Sequence, residues 1–133
     1  MTTSPIIITG FYAGILAILY IALSMKVINH RRLEKIGIGD DGGNCRELAK
    51  AIRVHANFIE YVPLALLMMA FYEHNGGHAM ALHVIGGLLV MARFFHAIGL
   101  GKTTGTSWQR FIGTITTFVV ILALAVVNII GIF

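Results

Sequence analysis

The run FIGTITTFVVILALAVVNIIGIF, Phe111 to Phe133, contains no charged side chain. Crossing the hydrocarbon core of a bilayer takes about 20 residues of helix, so this run alone predicts a complete membrane span. Strands that cross lipid must close into barrels and alternate apolar with polar residues, and no such alternation occurs here. The other end of the chain repeats the pattern, with no charge from Met1 to Met25. A secretory leader fits that segment poorly, because MTTSPIIITG has no basic start and the apolar part is long. Across all 133 residues, 57% are hydrophobic and 12% charged, against about 25% charged in soluble domains. With a mean hydropathy of +0.83, the composition predicts lipid as the solvent.

Between the two end runs, polar breaks divide the chain. HRRLEKIGIGDDGGNC (His30–Cys45), EHNGGH (Glu73–His78) and GLGKTTGTS (Gly99–Ser107) are rich in Gly, Asp and Asn, the residues that interrupt periodicity. The helices are therefore expected at about 5–29, 46–72, 79–98 and 108–132. Short connections make an up-down arrangement the default. The expected fold is all-α, a single transmembrane four-helix up-down bundle over residues 1–133. Lys26, Arg31, Arg32, Lys35, Arg46 and Lys50 flank the first break, and Arg93, Lys102 and Arg110 flank the third. The middle break and both termini carry no Lys or Arg. By the positive-inside rule both basic loops face the cytoplasm and both termini face away from it. The formal charge of +4 is explained by this topology, and no nucleic-acid partner is expected. Cys45 is the only cysteine, so no internal disulfide forms, and no metal-ligand spacing is present. GFYAG (Gly10–Gly14) and the glycine pair of HVIGGLL point to close helix approach.

Arg53, Asn57, Glu60 and Tyr61 stand at i, i+4, i+7 and i+8, which places them on one side of a helix. His55 lies about 200° around from Arg53. Charges inside a span are costly and mark function or pairing. Arg53 and Glu60 are separated by about 10 Å along the axis, long for a direct bridge, so they hold a ligand between them or pair with other groups such as Arg93. Arg53 offers a planar fork for a carboxylate, Glu60 an acceptor for an ammonium, and Asn57 both a donor and an acceptor. An amino-acid-like or peptide-like molecule carries the matching groups. Pro63, just beyond, removes one helical hydrogen bond.

The segment ELAKAIRVHANFIEYVPLAL, Glu47–Leu66, resembles the signature of the MAPEG family, the membrane-associated proteins in eicosanoid and glutathione metabolism. The matching pattern is Arg53, Asn57, Glu60-Tyr61 and Pro63, and the likeness continues in ARFFHAIG, Ala92–Gly99. Members include microsomal glutathione transferases and leukotriene C4 synthase. The resemblance implies a homotrimer with glutathione between neighbouring subunits, in the cytoplasmic half. Arg53 would then grip a glutathione carboxylate, Asn57 and Glu60 would hold the peptide with Glu60 near its amine, and Tyr61 would line the pocket. Arg93 matches a family arginine that reaches the site or its ion-pair network. His96 stands where eukaryotic members often place tyrosine, and His55 where some have glutamine. Arg31 and Arg32 would guard the cytosolic mouth, or serve topology and contact with anionic lipid.

In active members an arginine near the start of the fourth helix lowers the thiol's pKa, and Arg110 and Lys102 are the candidates here. A free thiol titrates near 8.5; a nearby cation lowers that value and supplies a thiolate at neutral pH. The expected activity is conjugation of glutathione, as co-substrate, to hydrophobic electrophiles arriving from the bilayer, with possible reduction of lipid peroxides and no metal. The alternative is a non-catalytic membrane protein whose Arg53/Glu60 face serves subunit packing or binds another small polar ligand. The expected location is a bacterial inner membrane.

Overall fold

The computed structural model describes residues 5–100 and 107–132, Leu100 by its backbone alone. Four helices, α1 (Ile7–Glu34), α2 (Arg46–His74), α3 (Ala79–Leu100) and α4 (Trp108–Ile130), form an all-α bundle. All four are long and apolar enough to cross a membrane, so the chain is an integral, multi-pass membrane protein. The pairings α3–α4 and α1–α2 are the most extensive, and α2 packs against each of the other three.

The core repeats at helical spacing. Leu16, Leu19 and Leu23 of α1 meet Val54, Phe58, Val62, Ala65 and Met69 of α2, with Leu82 and Leu89 of α3 and Val120 and Leu124 of α4. Residues three and four apart share a face, and here that face is the inner one. The outer faces are apolar too: Ile18, Leu67, Phe94 and Leu122 are exposed, as expected of helices whose solvent is lipid.

Three helices run past their expected ends, α3 by two residues to Leu100. α1 continues through His30–Glu34 before Lys35 turns the chain in the left-handed region at φ 56°. His30–Glu34 includes no glycine or proline, so polarity alone had marked the boundary. α2 continues through Glu73 and His74, uninterrupted by Pro63. Glu73 is buried. Its Oε1 accepts from the Ile8 amide at 2.8 Å and its Oε2 from the Thr9 amide at 2.7 Å. Ile6, at the N-cap of α1, has no side-chain bond to give, so a carboxylate 64–65 residues away in sequence caps the helix. Ser107 caps α4 in the local way, accepting from the Arg110 amide at 3.3 Å.

Close approach occurs at particular glycines. At Gly113 a Cβ would lie 2.6 Å from the Ala92 carbonyl oxygen, which is why α4 can lie so close to α3. At Gly86 a Cβ would run into the Tyr12 ring near its root, while the Tyr12 hydroxyl donates to the His83 carbonyl at 3.0 Å. Gly87, next door, has open space, as do Gly10 and Gly14. Gly86→Ala is therefore expected to destabilise the bundle by about 1–3 kcal/mol, the usual cost of overpacking, and Gly87→Ala to be neutral or mildly stabilising through helix propensity. Thermal unfolding in detergent micelles reads both. Equal losses in the two variants would remove the Tyr12 contact as the cause.

Candidate functional site

The buried stripe of α2 (Val54, Phe58, Val62, Ala65) fixes where its polar face points. With that stripe turned inward, Arg53 and Glu60 are exposed, and Asn57 and Tyr61 half-buried. Glu60 is the middle residue of a 29-residue spanning helix, at the depth where a bare carboxylate is most costly. Among the described residues, neither Arg53 nor Glu60 has an ion-pair partner; the recorded pair is Lys50 with Glu47, at 2.7 Å near the start of α2. Among the described residues, then, Arg53 and Glu60 are not held by ion pairs within the protomer.

Arg93 behaves differently. It is buried, only 1% exposed, and its guanidinium joins three helices. Nη2 donates to Asn57 Oδ1 at 2.6 Å, and Nη1 reaches Thr117 Oγ1 at 3.4 Å. The Phe58 ring lies beneath it at 5.9 Å. Thr117 donates onward to the Gly113 carbonyl at 2.8 Å. Arginine can only donate, so Asn57 must turn its oxygen toward Arg93, and its amide hydrogens are left for another group. A group that meets those amide hydrogens from outside has to be an acceptor. Arg93 is not a partner of Glu60; it is a bolt that orients Asn57. Thr117 went unnoticed in the sequence, where a threonine four residues after Gly113 in an apolar helix was the available signal.

On the basic-loop half of the bundle, Asn57 also lines a cavity of about 270 Å³ with His96, Ser107, Arg110, Phe111 and Thr114. His96 is buried, and its Nδ1 has no hydrogen-bond partner among the described residues. The cavity thus connects the α2 face to the start of α4, and Arg110 is a cation on its wall. Tyr61 packs edge-on against Phe118 of α4, with centroids 5.1 Å apart.

The remaining sequence candidates separate from this group. His55 turns toward α1, with Nε2 3.1 Å from Ser24 Oγ and its ring 5.2 Å from that of Tyr20. Arg31 donates to the carbonyls of Ile36, Gly37 and Gly39, the last at 2.9 Å, folding the first loop onto the end of α1. Arg32 is exposed beside it. Lys102 lies outside the described residues. Among the described residues, no three His, Cys, Asp or Glu side chains are grouped so as to hold a metal ion.

A spanning four-helix bundle with an Arg-Asn-Glu-Tyr face on its second helix defines a class of small integral membrane proteins. The chain belongs to the MAPEG family, whose pattern it matches over residues 9–130. It is similar to inner membrane protein YecN of Escherichia coli strain K12, at 31% identity over 121 residues, covering 91% of this chain and 89% of the relative. The protein of the same name from strain CFT073 matches to the same extent. No solved structure matches the chain.

Proposed function

We propose that this protein is a membrane-bound glutathione transferase, working as a homotrimer in a bacterial inner membrane with its basic loops in the cytoplasm. The observation that carries the reading is the outward-facing Arg53/Glu60 couple on a spanning helix, with no ion-pair partner among the described residues. Charges so placed need a polar cover rather than lipid, and a second copy of the chain together with a zwitterionic ligand supplies both. A tripeptide extends over about 10 Å, which matches the rise from Arg53 to Glu60. Arg53 takes a carboxylate, the Asn57 amide hydrogens take a carbonyl or carboxylate oxygen, and Glu60 takes the ammonium. Tyr61 borders the same face. The inner-membrane location and the orientation rest on the name of the similar Escherichia coli protein and on the basic residues around the first and third connections.

The chemistry follows from the cavity beyond Asn57. The glutathione thiol loses its proton, the thiolate attacks an electrophilic carbon, and the leaving group departs with the electron pair of the broken bond. Arg110 favours the thiolate and so sets the nucleophile's concentration at neutral pH. Its place on one cavity wall with Asn57 and His96 supports that role. The family resemblance supplies glutathione as the ligand.

Isothermal calorimetry of the detergent-solubilised protein tests the binding step. Wild type is expected to bind glutathione, and Arg53→Ala to lose at least ten-fold in affinity, since a hydrogen-bonded ion pair contributes about 1.5–3 kcal/mol. Equal affinity in both proteins, or no binding by either, would sink the assignment. In that case the exposed couple serves contact between subunits alone, and the oligomer of Arg53→Ala would dissociate with no glutathione effect.

A further inference from the structure

α1 contains 28 residues, about 42 Å of helix, whereas the hydrocarbon core is about 30 Å thick. Its charge-free part ends at Met25, so the last two turns rise into the headgroup layer. There Lys35 reverses the chain and Arg31 fastens the loop back by its three carbonyl bonds. The fastened loop borders an open cavity of about 360 Å³ lined by Ile28, Arg31, Arg32, Lys35, Ile36 and Gly37. Three cations and two isoleucines thus line it together, with no carboxylate among the described lining residues. Glu34, Asp41 and Glu47 line an adjoining cavity with Arg46, and the two cavities share Lys35 and Ile36. On the surface of the same helix end and loop stand Leu33 and Ile38, 78% and 94% exposed. In water, two such side chains waste apolar surface; at headgroup depth they reach the tops of the acyl chains.

We propose that this pocket binds the headgroup of an anionic phospholipid, with Arg32 and Lys35 on the phosphate, Ile28 and Ile36 against the glycerol and upper acyl chain, and Leu33 and Ile38 as anchors beside it. The positive-inside bias explains why cations gather at this end, but not why Leu33 and Ile38 stand exposed among them. A free phosphate would leave both of these and the two lining isoleucines uncovered, so the lipid is the occupant the surface fits.

Native mass spectrometry of the detergent-solubilised protein tests this, with dioleoylphosphatidylglycerol, dioleoylphosphatidylcholine and inorganic phosphate as separate titrants. The glycerol lipid is expected to bind several-fold tighter than the choline lipid. Arg32→Gln and Lys35→Gln should each weaken it about five-fold, and together on the order of 25-fold. Arg46→Gln with Lys50→Gln removes the same charge from the same end of the bundle and should leave the preference intact. The proposal is overturned if the choline lipid binds equally, if the control pair lowers binding as much as Arg32/Lys35, or if inorganic phosphate displaces the lipid completely. It is also overturned if the Arg32/Lys35 variant loses glutathione affinity while keeping the lipid preference, which would return Arg32 to the glutathione site.

Discussion

Replacing Arg110 by alanine is expected to cut the rate of glutathione conjugation about 6-fold at pH 6.5, a roughly 50-fold loss of thiolate being partly offset by the higher nucleophilicity of the more basic thiolate, with the deficit closing as pH rises. The argument rests on the transferase reading and on the position of Arg110 in the cavity shared by Asn57 and His96. An unassisted thiol, with a pKa near 8.5, is only about 1% ionised at pH 6.5. A cation that lowers that pKa by about two units brings roughly half of it to thiolate. Above the ordinary thiol pKa both proteins carry the thiolate, and the variant's is intrinsically the stronger nucleophile because nucleophilicity rises with basicity. The variant's profile of kcat/KM against pH should therefore slide to the alkaline side rather than drop uniformly. The ultraviolet absorbance of bound thiolate should move with it. A pH-independent loss would mean that Arg110 shapes the cavity or binds the peptide. An unchanged rate, together with loss in Lys102→Ala, would transfer the activating role to Lys102.

The parts of this molecule legible in its sequence are those written in local periodicity. Charge-free runs mark membrane spans because lipid tolerates so little else, and the four expected helices are the four observed. The Arg53-Asn57-Glu60-Tyr61 face is likewise a property of one helix, so its spacing shows that the four residues share a side. Spacing does not show which way that side points. The outward placement of Arg53 and Glu60 depends on the buried stripe Val54-Phe58-Val62-Ala65 finding partners on three other helices. Contacts between distant segments leave no local trace. Arg93 was visible as a charge in a span, but its bonds to Asn57 and Thr117 cross helices. Glu73 is the clearest case. It stands where α2 approaches a Gly-rich turn, and sequence polarity assigns it to that turn, yet it is buried and capping another helix.

That cap leads to the largest expected loss of stability. The first amides of any helix lack partners within it, and the positive end of the helix dipole favours an anion there. In α1 these amides belong to isoleucines and a threonine; that of Ile7 meets the Pro5 carbonyl at 3.0 Å, and the N-cap Ile6 has no side-chain bond to give. Glu73 supplies both needs with its two oxygens while tying the N-terminal end of α1 to the far end of α2. Glu73→Ala removes two charge-assisted hydrogen bonds, each contributing about 1.5–3 kcal/mol. Ile8 is only half-buried, so water can replace part of that loss, and the net cost should be on the order of 2–4 kcal/mol. Glu73→Gln keeps one acceptor but turns an amide N–H toward a backbone N–H, so it should recover less than half. His74→Ala, one residue on and exposed, should cost little. Reversible unfolding in mixed micelles of dodecyl maltoside and increasing dodecyl sulfate orders the three variants. If Gln matches wild type, the charge and the second acceptor are irrelevant and one neutral acceptor suffices for the cap. If His74→Ala falls as far as Glu73→Ala, the weakness lies in the end of α2 rather than in the clasp.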